Sequence, residues 1–192
     1  MHELKLDEQS MRICYSIARD PLRFPLRWRQ VAQPWPLAIA LSVLQNGSEY
    51  PIPLSGVLNV PRTIIMAASL PAAPDRLFEM YLDTATHASI TGLPAMIQPR
   101  PGGVFRAFDG MLTGTMLHIE PKTVIVQTWR SANWPLTDLD SVLILSFWPA
   151  PDGARIELVH VNVPEDDFAG VSQGWEKYYW EPWRAYLTTR NP

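Results

Sequence analysis

Alternation of apolar and polar positions organises this chain from Arg62 onward. Arg62-Thr-Ile-Ile-Met-Ala-Ala-Ser-Leu70 is rich in β-branched and apolar residues and stops at Pro71, which predicts a strand. Pro74-Asp75 opens a segment in which Leu77, Phe78, Tyr81 and Leu82 share one face at helical spacing, so a short amphipathic helix follows. A second short helix over about Thr84 to Thr91 is stopped by Gly92 and Pro94. From Ile97 the period changes to short runs cut by turn residues. Val104–Phe108 lies between Pro101-Gly102-Gly103 and Asp109-Gly110, and Met111–Ile119 ends at Glu120-Pro121. Lys122–Arg130 and Ser141–Trp148 come next, and the turn Pro151-Asp152-Gly153 leads into Arg155–Val163, closed by Pro164. With the first, this makes about seven strands, and Gly114 inside one of them predicts a bulge or bend.

The last element is a helix from Gly174 to Leu187. Trp175, Tyr178, Tyr179, Pro182, Trp183, Ala185 and Tyr186 fall on one broad arc, and Lys177, Glu181 and Arg184 point the other way. Burying such rings contributes about 2–3 kcal/mol each, so the face needs an extended apolar surface, and a sheet supplies one. Pro182 removes one backbone bond and predicts a kink near Tyr178.

Composition narrows the class. The 192 residues are 47% hydrophobic and 18% charged with a formal net charge of −3, which fits one globular domain and excludes a generally basic nucleic-acid binder. Residues 1–60 differ from the rest. Between Gln9 and Ser48 the only acidic residue is Asp20, against five arginines, and prolines at 21, 25, 34 and 36 interrupt every period. This stretch reads as a poorly ordered N-terminal extension, with the domain proper over 61–190. Its longest apolar run, Leu37–Leu44, is far short of the ~20 residues that span a bilayer. Cys14 is the only cysteine, so no intrachain disulfide forms, and a reducing cytoplasm fits.

Candidate chemistry is sparse. His2, His87, His118 and His160 sit in no metal-ligand spacing, and no phosphate loop or nucleophile elbow is present, so no cofactor, metal or catalytic residue is assigned. In the last strand Ile156, Leu158, His160 and Asn162 share one parity, and Glu157, Val159, Val161 and Val163 share the other. With Glu157 toward water, His160 faces the helix, either as a satisfied core histidine or as a group that orients a ligand. Trp129, Arg130 and Trp134-Pro135 form a second aromatic cluster, read as packing or as a contact surface.

Taken together, five motifs carry a family resemblance. They are Gly102-Gly103-x-Phe105, Asp109-Gly110-x-x-x-Gly114, Glu120-Pro121, Val126-x-x-Trp129-Arg130 with Trp134-Pro135, and Gly174-Trp175-x-x-Tyr178-Tyr179. In this order, over Arg62 to Leu187, they resemble the C-terminal domain of the activators of heat-shock-protein-90 ATPase and their bacterial homologues, within the START-like or SRPBCC superfamily. The resemblance implies an α+β helix-grip fold, in which a curved antiparallel sheet wraps a long C-terminal helix, two short helices follow the first strand, and a hydrophobic cavity lies between. Residues 1–60 show nothing like the N-terminal chaperone-stimulating domain of the eukaryotic activator. The expected function is non-catalytic, cytoplasmic binding of a small hydrophobic or lipid-like ligand. Trp175, Tyr179, Trp183 and Tyr186 are expected to form one wall of the cavity, and Phe105, Trp129, Ile156, Leu158 and His160 the other. Two alternatives follow from the same resemblance: a co-chaperone-like partner of a heat-shock-protein-90 chaperone, and a cyclase or hydrolase using the same cavity. No nucleic-acid partner and no transmembrane segment are expected.

Overall fold

The structure is a computed structural model and describes residues 61–189. The expectation of an extension over residues 1–60 lies outside the described residues. Seven antiparallel strands form one sheet in the order β1-β7-β6-β5-β4-β3-β2. They are β1 (Arg62–Leu70), β2 (Met96–Ile97), β3 (Val104–Ala107), β4 (Leu112–Glu120), β5 (Val124–Ser131), β6 (Ser141–Ala150) and β7 (Gly153–Val163). Helices α1 (Pro74–Leu82) and α2 (Thr84–Thr91) follow β1, as the sequence predicts. Pro74 occupies the first turn of α1, and Asp83 caps α2 by accepting from the Thr86 amide at 2.8 Å. Gly92 ends α2 in the left-handed region at φ 74°.

The C-terminal helix is built in three pieces. α3 (Phe168–Trp175) passes into a single π turn over Glu176–Trp180 and then into α4 (Glu181–Thr189). In that turn the Glu181 amide reaches back five residues to the Glu176 carbonyl. Pro182, next in line, has no amide to give the preceding turn, so the irregularity predicted near Tyr178 takes the form of a widened turn. The extra residue rotates the faces. Trp180, which a regular helix would send away from the apolar arc, is almost fully buried, whereas Tyr178 is half-exposed and Ala185 is exposed, contrary to the arc drawn from sequence.

Two irregularities shape the sheet. At Gly114 the backbone of β5 comes so close that a Cβ would lie 2.0 Å from the Thr128 carbonyl oxygen, and the β4–β5 register slips between Met116 and His118. At the other side, Val161 and Asn162 of β7 together oppose Thr63 of β1, and Asn162 adopts φ 63° with its side-chain Nδ2 donating to the Asp140 carbonyl at 3.1 Å. This bulge reverses the strand parity: Ile156, Leu158 and His160 face the helix as expected, but Asn162 leaves that row and Val163 enters the core. The opposite face of the sheet is also apolar at its centre, with Val126, Ile144, Val159 and Ile65 in register across four strands. That is why β6 carries apolar residues of both parities, Val142 to Leu145 and Phe147 to Trp148, on either side of Ser146.

Glycine substitutions at two places test this account. Gly114→Ala is expected to force β4 from β5 and to lower stability by about 2 kcal/mol or more, within the range for overpacking. Gly174→Ala places its methyl in ordinary contact with the Tyr178 ring at 3.6 Å and is expected to raise stability by about 0.5–1 kcal/mol through helix propensity. Thermal and urea unfolding of both variants decide the matter; an unperturbed Gly114→Ala protein would show that the sheet does not need this close approach.

Candidate functional site

Every residue expected in the cavity walls lies in or against the core between sheet and helix. Phe105, Trp129, Ile156, Leu158, His160, Trp175, Tyr179 and Trp183 are buried, and Tyr186 packs half-buried at the edge. The two walls are pressed together. Trp175 stacks on Trp180 at 5.6 Å between centroids, Trp180 on Trp183 at 6.2 Å, Trp183 on Tyr81 at 6.4 Å, and Tyr81 on Phe105 at 6.1 Å. This column of offset rings fills the space where the resemblance implies a cavity. A small gap lies beside it, about 150 Å³ counting space shared with solvent and too tight for a water molecule. Its lining is Tyr81, His87, Ile90, Thr91, Tyr179 and Trp183. Only Tyr179 and Trp183 were legible from sequence as cavity residues; Tyr81 and His87 sat on short helices whose docking angle the sequence does not encode.

Two chains of hydrogen bonds cross the interior, and in each a partner that can only donate or only accept fixes the histidine tautomer. The Trp175 indole donates to His160 Nδ1 at 3.3 Å, so His160 carries its proton on Nε2 and gives it to Ser141 Oγ at 2.7 Å. Ser141 in turn donates to the Trp129 carbonyl at 2.7 Å. His160 is therefore a satisfied core histidine, and the Ser141 proton is committed to a carbonyl rather than released to a base. At the gap the arrangement is reversed. The Tyr81 carbonyl only accepts, so His87 is protonated on Nδ1 (2.8 Å), and its Nε2 accepts from the Tyr179 hydroxyl at 3.4 Å. Tyr81 donates through its hydroxyl to Gln127 Oε1 at 3.3 Å.

Burial sets the charge states. It lowers His160 to about 3. For His87 burial is again the main cause, partly opposed by the bond to the Tyr81 carbonyl, and the value falls to about 4. Burial also pushes the Tyr179 and Tyr81 phenols well above their ordinary range. All four groups are neutral near pH 7. Among the described residues no group of three or more His, Cys, Asp or Glu is placed to hold a metal ion.

The second aromatic cluster is structural. Trp129 and Trp134 lie 5.2 Å apart, and the Trp134 indole donates to Asp167 at 2.7 Å, tying the β5–β6 connection to the start of the C-terminal helix. Arg130 spans that connection through the Asp138 and Pro135 carbonyls at 2.9 and 2.5 Å and the Asp140 carboxylate at 3.0 Å. A different surface carries exposed apolar groups. The β3–β4 turn places Phe108 and Asp109 in the left-handed region at φ 53° and 55°, a costly conformation for a bulky ring. There Phe108 packs edge-on to Tyr178 and Tyr179, and exposed Met111, Leu93 and Tyr178 belong to the segments around it. The Asp109 amide donates to the Pro94 carbonyl at 3.0 Å and holds Leu93 at this corner.

Comparison with known proteins adds kinship. Residues 71–188 match the family described as Activator of Hsp90 ATPase homolog 1-like protein. Activator of 90 kDa heat shock protein ATPase homolog 1 from Homo sapiens is 25% identical over 109 residues, 57% of this chain and 32% of that protein. Homolog 2 from Mus musculus is 30% identical over 113 residues, 59% of this chain and 34% of that protein. The chain thus spans about a third of the length of these relatives. An HSP90 activator from Plasmodium falciparum superposes with a TM-score of 0.60 at 20% identity, covering 66% of this chain and 96% of that one. Protein MLL2253 from Mesorhizobium loti gives 0.60 at 22% identity, covering 68% and 100%. The likeness to these two structures is one of fold.

The histidines generate a pH prediction. In the unfolded chain they protonate near the ordinary value of about 6.5, and in the folded chain only near 4 and 3. Their contribution is therefore fully present above about pH 6.5 and is lost as pH falls toward those folded values. By about pH 5 the loss is about 2 kcal/mol for each histidine, an order-of-magnitude figure from 1.36 kcal/mol per unit. His160→Leu leaves the Trp175 indole without an acceptor, so it is expected to cost about 1–3 kcal/mol at neutral pH and to remove about half of the acid sensitivity. Urea unfolding at two pH values checks both parts; an unchanged pH slope in the variant refutes the neutral-histidine account.

Proposed function

The chain belongs to the family of Activator of Hsp90 ATPase homolog 1-like proteins, and on that premise we propose that its domain is a non-catalytic binding module. It takes a small hydrophobic ligand at the gap between α2 and the C-terminal helix. The observation that carries this reading is the gap itself, where polar atoms of His87 and Tyr179 meet a column of aromatic rings. A ligand enters by moving α2, which buries only His87 and Ile90, whereas α1 is anchored by five buried residues. The π turn lies opposite, and such turns are frequent at functional sites. Binding rather than catalysis is favoured because both buried histidines are neutral and each uses both ring nitrogens in hydrogen bonds. A cytoplasmic setting remains part of the proposal; among the described residues no helix is long and apolar enough to cross a membrane.

A second reading, docking on a heat-shock-protein-90 chaperone, is favoured by the names of the relatives and by the exposed corner of Leu93, Met111 and Tyr178 around strained Phe108. It concerns a different surface, so both readings stand independently.

Two measurements test these proposals. A fluorescent hydrophobic probe is expected to bind saturably, and Thr91→Trp, which fills the mouth of the gap, is expected to weaken it about tenfold (~1.4 kcal/mol) without lowering the melting temperature. If no probe binds wild type or variant, the ligand reading is dropped. Added to a heat-shock-protein-90 chaperone, the chain is expected to give no several-fold stimulation of ATPase, because it spans about a third of the length of the activators it resembles, while Tyr178→Ala is expected to weaken any binding. Strong stimulation, or binding indifferent to Tyr178, counts against this account.

A further inference from the structure

The connection between β5 and β6 holds a leucine out in water. Leu136 is 97% exposed, and Leu139, three residues on, is 40% exposed. Both would gain by folding back onto the domain, but the connection is braced against it. The Arg130 guanidinium binds the Pro135 and Asp138 carbonyls and the Asp140 carboxylate, and the Trp134 indole ties the loop to Asp167. Two turns, closed by the Trp134 amide on the Ser131 carbonyl and by the Asp138 amide on the Pro135 carbonyl, set the backbone between.

The loop continues the apolar corner around Phe108. The Met111 carbonyl accepts from the Ala132 amide at 2.8 Å, and the Asp109 amide on the Pro94 carbonyl joins the same turn to Leu93. Of the exposed large apolar side chains among the described residues, only Ile65 and Leu117 lie away from this end. Single exposed leucines are ordinary; a gathering of them on two braced loops marks a contact surface.

Charge says what the surface takes. Asp138 lies between the two leucines, and its carboxylate has no partner among the described residues. Asp140 and the run Glu165-Asp166-Asp167, reached through the Trp134–Asp167 bond, add further carboxylates against the guanidinium groups of Arg130 and Arg62. The Lys177 ammonium sits over the Tyr178 ring at 4.9 Å. An anionic bilayer is repelled by such a loop, and a second copy brings the same carboxylates to it.

We propose that this end of the domain docks a cationic amphipathic segment of a partner protein, whose apolar side chains cover Leu136, Leu139 and Met111 and whose lysines or arginines meet Asp138. The proposal rests on the reading of the Phe108 corner as a docking surface and names the chemistry of its partner, whether or not that partner is the chaperone.

The test uses the full chain and three synthetic peptides of one length: leucine and lysine patterned as an amphipathic helix, the same pattern with glutamate for lysine, and the same with serine for leucine. The leucine–lysine peptide is expected to bind at least about tenfold more tightly than either control. Leu136→Ser and Asp138→Asn are each expected to weaken it several-fold, and Leu117→Ser, exposed on β4 away from this end, to leave it unchanged. Leu136 is in water, so Leu136→Ser is expected to keep the melting temperature, and lost binding is then not lost folding. Equal affinity for the lysine and glutamate peptides, or binding indifferent to Leu136→Ser, overturns the proposal. So does binding to phosphatidylserine vesicles through Leu136, which assigns the end to a membrane, or a dimer that Leu136→Ser dissociates, which assigns it to a second copy. If the leucine–lysine peptide fails while Tyr178→Ala still weakens chaperone binding, this proposal falls and the docking corner stands; if the peptide binds through Leu136 and the chaperone does not bind, the chaperone reading falls alone.

Discussion

Burial of the aromatic face of the C-terminal helix in the concavity of the sheet is the constraint to which the rest of the domain answers. Trp175, Tyr179, Trp180 and Trp183 present four large rings from one helix, and an edge-on flat sheet would leave most of that area in water. The sheet must therefore curve. Gly114 lets β4 and β5 approach at one side, and the Asn162 bulge bends β7 against β1 at the other. The hydrogen bonds from Trp175 to His160 to Ser141 then fix how far the helix may slide or roll, because sliding by even a fraction of a turn would strand three buried polar groups at once.

The same interior is what supports the proposal of binding over bond-making. Its two histidines hold opposite tautomers, each dictated by a partner that can only donate or only accept, and neither has a nitrogen lone pair to spare for a substrate. Of the two short helices that close the end, the more lightly anchored one covers the gap, so the element next to the site is also the one least expensive to displace.

Much of this was legible in the sequence because strand and helix periods were cleanly punctuated. Pro71, Asp109-Gly110, Pro151-Asp152-Gly153 and Pro164 mark boundaries that the structure reproduces within a few residues, and the bounds of β1, α1 and α2 match the expectation. Parity in β7 placed His160 against the helix, but parity alone could not foresee that a bulge would turn Asn162 aside and return Val163 to the core. Partners such as Ser141 for His160, set by strand register, and Gln127 for Tyr81, set by how α1 docks on the sheet, are recorded by no single element. Arg130 beside Trp129 read more readily as packing than as a contact surface, and the carbonyls it spans tie it into the β5–β6 connection. The aromatic arc of the last helix was drawn with a regular period, and that assumption alone misplaced Tyr178 and Trp180.

The π turn at Glu176–Trp180 is geometrically what one extra residue does to a helix whose two ends are held fixed. A single residue inserted into a regular helix whose anchors, Trp175 before and Trp183 after, stayed in the same grooves would produce such a turn. A relative with an uninterrupted helix would then correspond to this chain with an offset of one beyond this point. Comparing the two without a gap at 176–180 would pair core positions of one with solvent positions of the other through the remainder of the helix.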